Sequence, residues 1–152
     1  RCFVAASSAE PARLAETAID WKAASGLLGA AKARVIAIID ACHSGQTGAQ
    51  AVANDGAVDS LAVTARAPMV VLAASKGRQE SYEAPSMAGG IFTQTLAQLI
   101  GAKRTTTDSD QDGVLEISEL YRNLRKTVDT ATRGGQTPWL VRRNIVGDAP
   151  LF

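Results

Sequence analysis

The sequence predicts an α/β fold in which a mostly parallel sheet lies between helices. Two short apolar runs, residues 35–39 and 69–74, lack the alternation of polar residues that marks a half-exposed strand. Uninterrupted runs of this length are typical of strands that are buried on both faces, as in a parallel sheet covered by helices. Amphipathic segments with helical spacing alternate with these runs, and that alternation favours a layered α/β arrangement.

The composition narrows the class of protein. A chain of 152 residues with 46% apolar and 20% charged residues is expected to form one domain. Its net charge of +1 argues against nucleic-acid or membrane binding by bulk electrostatics, and no apolar stretch approaches transmembrane length. Two cysteines cannot build a disulfide framework. We therefore expect a cytoplasmic protein with neither nucleic acid nor membrane as a partner.

The first half of the chain predicts one helix before the central strand and one short helix after it. Residues 1–6 predict the end of a strand, and a polar loop follows. Asp20 is expected to cap a helix over residues 21–31, before the central strand at 35–39. The segment 45–67 is rich in Gly, Ala, Asn and Asp and predicts a long connection with one short helix, before the second strand.

Two amphipathic helices dominate the second half. Gly89 and Gly90 precede a predicted helix with Phe92, Leu96 and Leu99 on one face. Residues 117–130 carry apolar side chains at 3.6-residue spacing and predict the other helix. The segments P-W-L-V, at 138–141, and A-P-L-F, at 149–152, are candidate short strands.

A candidate site follows the central strand directly. Asp40 and Cys42 stand in the turn D-A-C-H-S-G that begins where the apolar run stops. Ligands of open parallel sheets bind outside the carboxyl ends of the strands, and a free thiol can act as a nucleophile there. On the residues alone, Cys42 could instead be a small buried side chain, and Asp40 could cap the following turn.

The motif D-A-C-H-S-G resembles the nucleophile motif of the caspase-like cysteine peptidases, in the D-x-C-H-S-G form of metacaspases and prokaryotic orthocaspases. Three later segments resemble the family in the same order: A-S-K-G-R-Q-E-S-Y-E, G-G-I-F-T-Q-T-L, and S-E-L-Y followed by G-Q-T-P. The resemblance implies a caspase-like three-layer sandwich with Cys42 as the nucleophile. It also implies that Asp40 lies at the floor of the S1 pocket and binds a substrate Arg or Lys.

The same resemblance implies a catalytic His upstream of the nucleophile, in an H-G motif. The single His of this chain is His43, and neighbouring side chains diverge, so His43 is not expected to serve as the base of Cys42. We therefore expect residues 1–152 to be the C-terminal portion of one caspase-like domain, inactive without the upstream strands that carry the His. The expected substrate is a protein or peptide cut after Arg or Lys. The alternatives are an inactive caspase-like scaffold and a calcium-binding regulatory module.

Residues 108–119 match the calcium-loop pattern D-x-[DN]-x-[DN]-G-x₅-E in full. The predicted ligands are carboxylates and one backbone carbonyl, from Asp108, Asp110, Asp112, Val114 and Glu119. The peptidase chemistry itself requires no cofactor, so calcium would be an addition to it. One observation argues against a calcium site: the loop is separated from the preceding predicted helix by the segment G-A-K-R-T-T-T. The alternative is an acidic turn that places negative charge at a helix N-terminus without a metal.

Overall fold

The structure is a computed structural model that describes residues 3–4, 8–40, 54–76, 79, 82 and 89–151. Its elements, in chain order, are β1 (Phe3–Val4), α1 (Leu14–Thr17), β2 (Ile19–Asp20), α2 (Trp21–Gly29), β3 (Val35–Ile39), α3 (Asn54–Thr64), β4 (Met69–Ala73), α4 (Ile91–Ile100), α5 (Arg104–Thr107), α6 (Ile117–Ala131) and β5 (Trp139–Arg143). A single 3₁₀ turn, Pro11–Arg13, precedes α1. The described strands form one small ribbon and one central sheet, which are separate from each other.

The central sheet has the order β3-β4-β5. β3 and β4 are parallel, with Ile39 opposite Ala73, and β5 is antiparallel to β4, with Trp139 opposite Ala73. The sheet formed by the described strands is therefore mixed, with one parallel and one antiparallel pair, and the predicted α/β class is confirmed. Because of these strand directions, the carboxyl ends of β3 and β4 lie beside the amino end of β5. We call this end of the sheet, marked by Ile39, Ala73 and Trp139, the site edge.

Side chains of β4 alternate between two hydrophobic cores. Val70 and Leu72 pack with α4 and α6 on one face of the sheet, in a cluster that includes the buried side chains of Phe92, Leu96, Leu120, Leu124 and Val128. Met69, Val71 and Ala73 point to the other face, where Val58, Leu61 and Ala65 cover them. All five residues of β4 are buried. The prediction of a strand buried on both faces is confirmed for β4.

The same prediction is wrong for β3 within the described chain. Its bounds are as predicted, but Ile36 is 37% exposed and Ile38 is 51% exposed. On this face of the sheet, α4 and α6 pack over β4 and β5. β3 is an edge strand of the described sheet, so Ile36 and Ile38 lie outside the area that these helices cover. An apolar run thus identified the strand correctly without showing what covers each of its faces.

The predicted helices are present, with differences at their ends. Asp20 caps α2 as expected, because Oδ1 of its carboxylate accepts the N–H groups of Lys22 (2.8 Å) and Ala23 (3.3 Å). α3 is an 11-residue helix rather than a short one, and β2 and α1 were not predicted. In the described part of A-P-L-F, residues 149–151, Pro150 forms an isolated bridge with Glu116 and no strand is present, so the predicted strand is wrong there. No helix in the described residues combines the length and apolarity needed to cross a membrane.

We predict that the core between α6 and the sheet dominates stability. Replacing Leu124, which is fully buried, by Ala should lower the free energy of unfolding by about 2–5 kcal/mol, because the substitution leaves a cavity. The matched control is Leu27→Ala on α2, where the side chain is 78% exposed and the cost should stay within about 0.5 kcal/mol. Urea unfolding of both variants measures the difference, and equal midpoints would contradict the assignment of this core.

Candidate functional site

The candidate site begins at the carboxyl end of β3. Asp40 is the first residue after the strand and is exposed. Cys42 and His43 lie outside the described residues, so the structure describes the strand that leads to the predicted nucleophile and not the nucleophile itself. Beside this strand end, the N–H of Ala74 donates to the carbonyl of Ile39 (2.9 Å), which continues the pairing of β3 with β4 one residue beyond the end of β4.

The carboxylate of Asp40 lies against the beginning of α4. Its Oδ2 accepts a hydrogen bond from the hydroxyl of Thr93, in the first turn of that helix. A Cβ atom on Gly90, the residue that precedes α4, would come within 3.2 Å of the same oxygen. The small residue therefore leaves room for the carboxylate at the positive end of the helix dipole, where a negative charge is stabilised.

A buried glutamine joins two loops at the site edge. Gln136 is fully buried, its Nε2 donates to the carbonyl of Ala74 (3.0 Å), and its Oε1 accepts the N–H of Tyr82 (2.8 Å). Nearby, the Oε1 of Gln79 accepts the N–H of Thr137 (3.0 Å). Buried backbone groups need such partners, so these two side chains fix the chain after β4 to the chain before β5.

The same loop after β4 is also bound to α4. The carbonyl of Tyr82 accepts the N–H of Ile91 (2.9 Å), the first residue of the helix. The ring of Tyr82 lies over Gly135, where a Cβ would approach the phenol oxygen to 2.6 Å. The described parts of the site edge are therefore connected, from Asp40 through α4 and Tyr82 to Gln136.

The acidic loop 108–119 is a separate candidate site. The short helix α5 ends directly before Asp108, so a helix does enter the loop, contrary to the objection raised from the sequence. The carboxylate of Asp108 accepts the N–H groups of Gln111 (2.8 Å) and Gly113 (3.0 Å). Gly113 has a φ of 88°, a left-handed conformation that glycine adopts without strain, as the pattern required.

Five carboxylates converge in this loop as two overlapping groups. One oxygen each from Asp108, Asp110 and Asp112 lies within 4.8 Å of the others, and the same holds for Asp110, Glu116 and Glu119. Ligand oxygens around Ca²⁺ lie up to about 5 Å apart, because each bond is 2.3–2.6 Å long. The spacing of both groups therefore suits a calcium ion. The remaining predicted ligand, Val114, is partly buried, and its N–H donates to Asp112 (2.8 Å).

Glu119 is held in place by the loop itself. Its side chain is only 6% exposed, Oε1 accepts the N–H of Ser109 (2.6 Å), and Oε2 accepts the N–H of Glu116 (3.3 Å). Burial acts to raise the pKa of Glu119, but the hydrogen bonds from Ser109 and Glu116 outweigh it and lower this pKa below its ordinary value. Glu119 therefore carries a negative charge and also caps the beginning of α6.

Glu116 belongs to the same group of carboxylates but was not among the predicted ligands. Its pKa is raised to about 7 by the hydrogen bond with Glu119, by burial and by the charges of Asp112, Glu119 and Asp110. Its Oε2 is buried and has no hydrogen-bond partner among the described residues. Glu116 is the ninth residue of the loop, a position that often contributes a ligand through water in calcium loops, so its place in the loop could have indicated a role.

Two further residues at the site edge were not predicted. Thr93 and Gln136 both fall in segments that carry the family resemblance, G-G-I-F-T-Q-T-L and G-Q-T-P, but nothing local assigns them a function. Their partners, Asp40 and Ala74, are 53 and 62 residues away along the chain. Helical spacing predicts which side of α4 is buried. It does not predict that Thr93 contacts Asp40, and no local pattern predicts that Gln136 contacts Ala74.

The crowded carboxylates predict a dependence of stability on pH in metal-free buffer. Glu116 binds its proton more tightly in the folded chain, where its pKa is about 7, than in the unfolded chain, where it is near 4.5. Its stabilising contribution is complete below pH 4.5 and is lost as the pH rises through 7. Over that interval, the free energy of unfolding should fall, and Glu116→Gln should reduce the slope.

Urea unfolding between pH 5 and pH 8 measures that slope. Asp59→Asn is the matched control, because Asp59 is an exposed carboxylate on α3, on the opposite face of the sheet. The control should keep the wild-type slope. An unchanged slope in Glu116→Gln would show that this carboxyl does not titrate in the folded protein as described.

Comparison with protein-family models matches residues 10–149 to the caspase domain. Comparison with curated proteins gave no match, and comparison with solved structures gave none either. The family match covers most of the chain, including the whole central sheet and the helices on both of its faces. Membership supports cysteine peptidase activity and implies a protein substrate. This chain therefore belongs to the caspase-domain family of cysteine peptidases.

Proposed function

We propose that this chain carries the nucleophile and the specificity carboxylate of a cysteine endopeptidase that cleaves after Arg or Lys. The supporting observation is the position of Asp40, which is exposed directly after β3 and two residues before Cys42. In extended backbone, side chains two residues apart share a side, so the carboxylate of Asp40 and the thiol of Cys42 would face the same substrate.

The proposed reaction is acyl transfer to the thiol. A His in the upstream part of the domain takes the proton of Cys42, and the thiolate attacks the scissile carbonyl carbon. The backbone N–H of Cys42, together with that of a Gly beside the His, stabilises the oxyanion. The His then gives the proton to the leaving amine, and water hydrolyses the thioester to release the second product and the free thiol.

Asp40 would select the residue before the scissile bond. An Arg guanidinium can bind a carboxylate through two parallel hydrogen bonds, and a Lys ammonium binds it as a point charge. The N-terminus of α4 lies at the same carboxylate, where Gly90 leaves space for it. A negatively charged P1 side chain such as Asp would be repelled.

We predict that the full-length protein cleaves fluorogenic peptides after Arg or Lys but not after Asp. Cys42→Ala should reduce the rate at least about 10³-fold, because the nucleophile is lost, whereas Cys2→Ala should retain activity. Asp40→Asn should lower kcat/KM for the basic substrates about 10²-fold, because a charge-assisted hydrogen bond is lost, whereas Asp59→Asn should not.

Each contrary outcome of that assay has a definite meaning. Cleavage after Asp would refute the role of Asp40 and retain that of Cys42. Activity that survives Cys42→Ala would refute the nucleophile. The absence of turnover on all three peptides, with a protein that unfolds cooperatively, would favour the inactive caspase-like scaffold instead.

The geometry of the acidic loop favours a second function, and we propose that residues 108–119 bind Ca²⁺. The carboxylates of Asp108, Asp110, Asp112, Glu116 and Glu119, with the carbonyl of Val114, would hold the ion. Two observations support the fit: the oxygen spacing within 4.8 Å, and the buried Oε2 of Glu116 without a described partner. Ca²⁺ is bound by oxygen ligands of this kind and would neutralise their mutual repulsion.

Calcium titration by calorimetry tests the loop independently of peptidase activity. Asp110 belongs to both groups of carboxylates, so Asp110→Asn should weaken Ca²⁺ binding at least about tenfold, while Asp59→Asn should leave it unchanged. Mg²⁺ titrated in parallel should bind more weakly, because it requires a smaller octahedral site. A wild-type protein that releases no binding heat and gains no thermal stability in millimolar Ca²⁺ would support the metal-free acidic turn.

A further inference from the structure

The hydrogen bond between Thr93 and Asp40 joins the first turn of α4 to the residue that follows β3. Within the described part of the chain, no other hydrogen bond reaches the Asp40 carboxylate. Thr93 itself is exposed, but its neighbour Phe92 is fully buried and Leu96, one turn further on, is also buried. The hydroxyl is therefore presented by a helix whose position is fixed, on the solvent side of its first turn.

From this contact we infer that Thr93 is a positioning residue for the S1 carboxylate. The inference rests on the proposed function, since it requires that Asp40 binds the P1 side chain. The carboxylate of an aspartate rotates over a broad range about its last bond, so a single fixed donor selects one orientation. With Oδ2 bound to Thr93, Oδ1 and the second lone pair of Oδ2 have no further hydrogen bond from the described residues and would bind the substrate.

Such orientation matters more for Arg than for Lys. A guanidinium is a planar fork that binds both carboxylate oxygens only when the two planes are aligned, whereas an ammonium binds in many directions. A P1 side chain that covers Asp40 also removes water from the Thr93 hydroxyl, and hydrogen bonds strengthen in such a low-dielectric setting. Thr93 should therefore set the preference for Arg over Lys.

The test measures binding, in the full-length protein with the Cys42→Ala substitution, so that no turnover is needed. Fluorescent peptides that end in Arg-amide or Lys-amide are titrated, and their anisotropy gives the dissociation constants. Thr93→Val should weaken Arg binding about tenfold, the usual effect of losing a hydrogen bond to a charged group, and Lys binding only about twofold. Thr93→Ser should restore both constants, because it restores the hydroxyl.

Three further variants make the result decisive. Thr93→Ala also lacks the hydroxyl but adds no bulk, and it replaces Thr93→Val if that variant does not unfold cooperatively. Thr127→Val, at an exposed position on α6, is the matched control and should change neither constant. Asp40→Asn should weaken both peptides strongly.

The outcomes separate this inference from the function on which it rests. If Asp40→Asn weakens binding but the Thr93 variants have no effect, or reduce Arg and Lys binding equally, the positioning role is overturned and the proposed specificity stands. If Arg-dependent binding is absent, or is unchanged by Asp40→Asn, the proposed specificity fails and the role of Thr93 fails with it.

Discussion

The burial of β4 is the constraint on which the described structure depends. All five of its residues are buried, and its side chains alternate between the two cores. A peptide group in such surroundings must find its hydrogen-bond partners within the protein, and β4 finds them in β3 on one side and β5 on the other. The hydrophobic cores thus determine where this strand lies, and its backbone determines the register of its two neighbours.

Strand direction then determines what can meet at the site edge. The parallel pair brings the ends of β3 and β4 together, and the antiparallel strand brings its beginning to the same place. Segments far apart in the chain, near Asp40, Tyr82 and Gln136, therefore come into contact there. The acidic loop is different, because its five carboxylates come from twelve consecutive residues and need no sheet to assemble them.

Local signals in the sequence were sufficient for the elements that build the cores. The runs that became β3 and β4 and the periodicity of α6 depend on neighbouring residues alone, and the helix cap at Asp20 does too. α3 was underestimated because its sequence is only weakly amphipathic, although Val58 and Leu61 are buried. The exposure of Ile38 was unpredictable for another reason: a strand's own residues do not reveal which helices cover it.

The candidate sites likewise differ in how far the local sequence identifies their residues. The acidic loop was found from a contiguous pattern, and the structure added Glu116, at a position where that pattern accepts any residue. Asp40 was found from its place after a strand, but its partner Thr93 depends on tertiary structure and no local signal identified it. The roles of Cys42 and of the upstream His remain predictions, as does calcium binding.

The hydrogen bonds of Gln136 also bear on how the domain assembles during synthesis. Its partners, Ala74 and Tyr82, leave the ribosome more than fifty residues earlier, so their hydrogen bonds with Gln136 cannot form until most of the chain has been synthesised. Closing so long a loop has an entropic cost that favourable contacts repay only when β5 joins the sheet. A nascent chain in which β5, the last of the described strands, has not yet joined the sheet therefore lacks the hydrogen bonds of Gln136, and its site edge is incomplete.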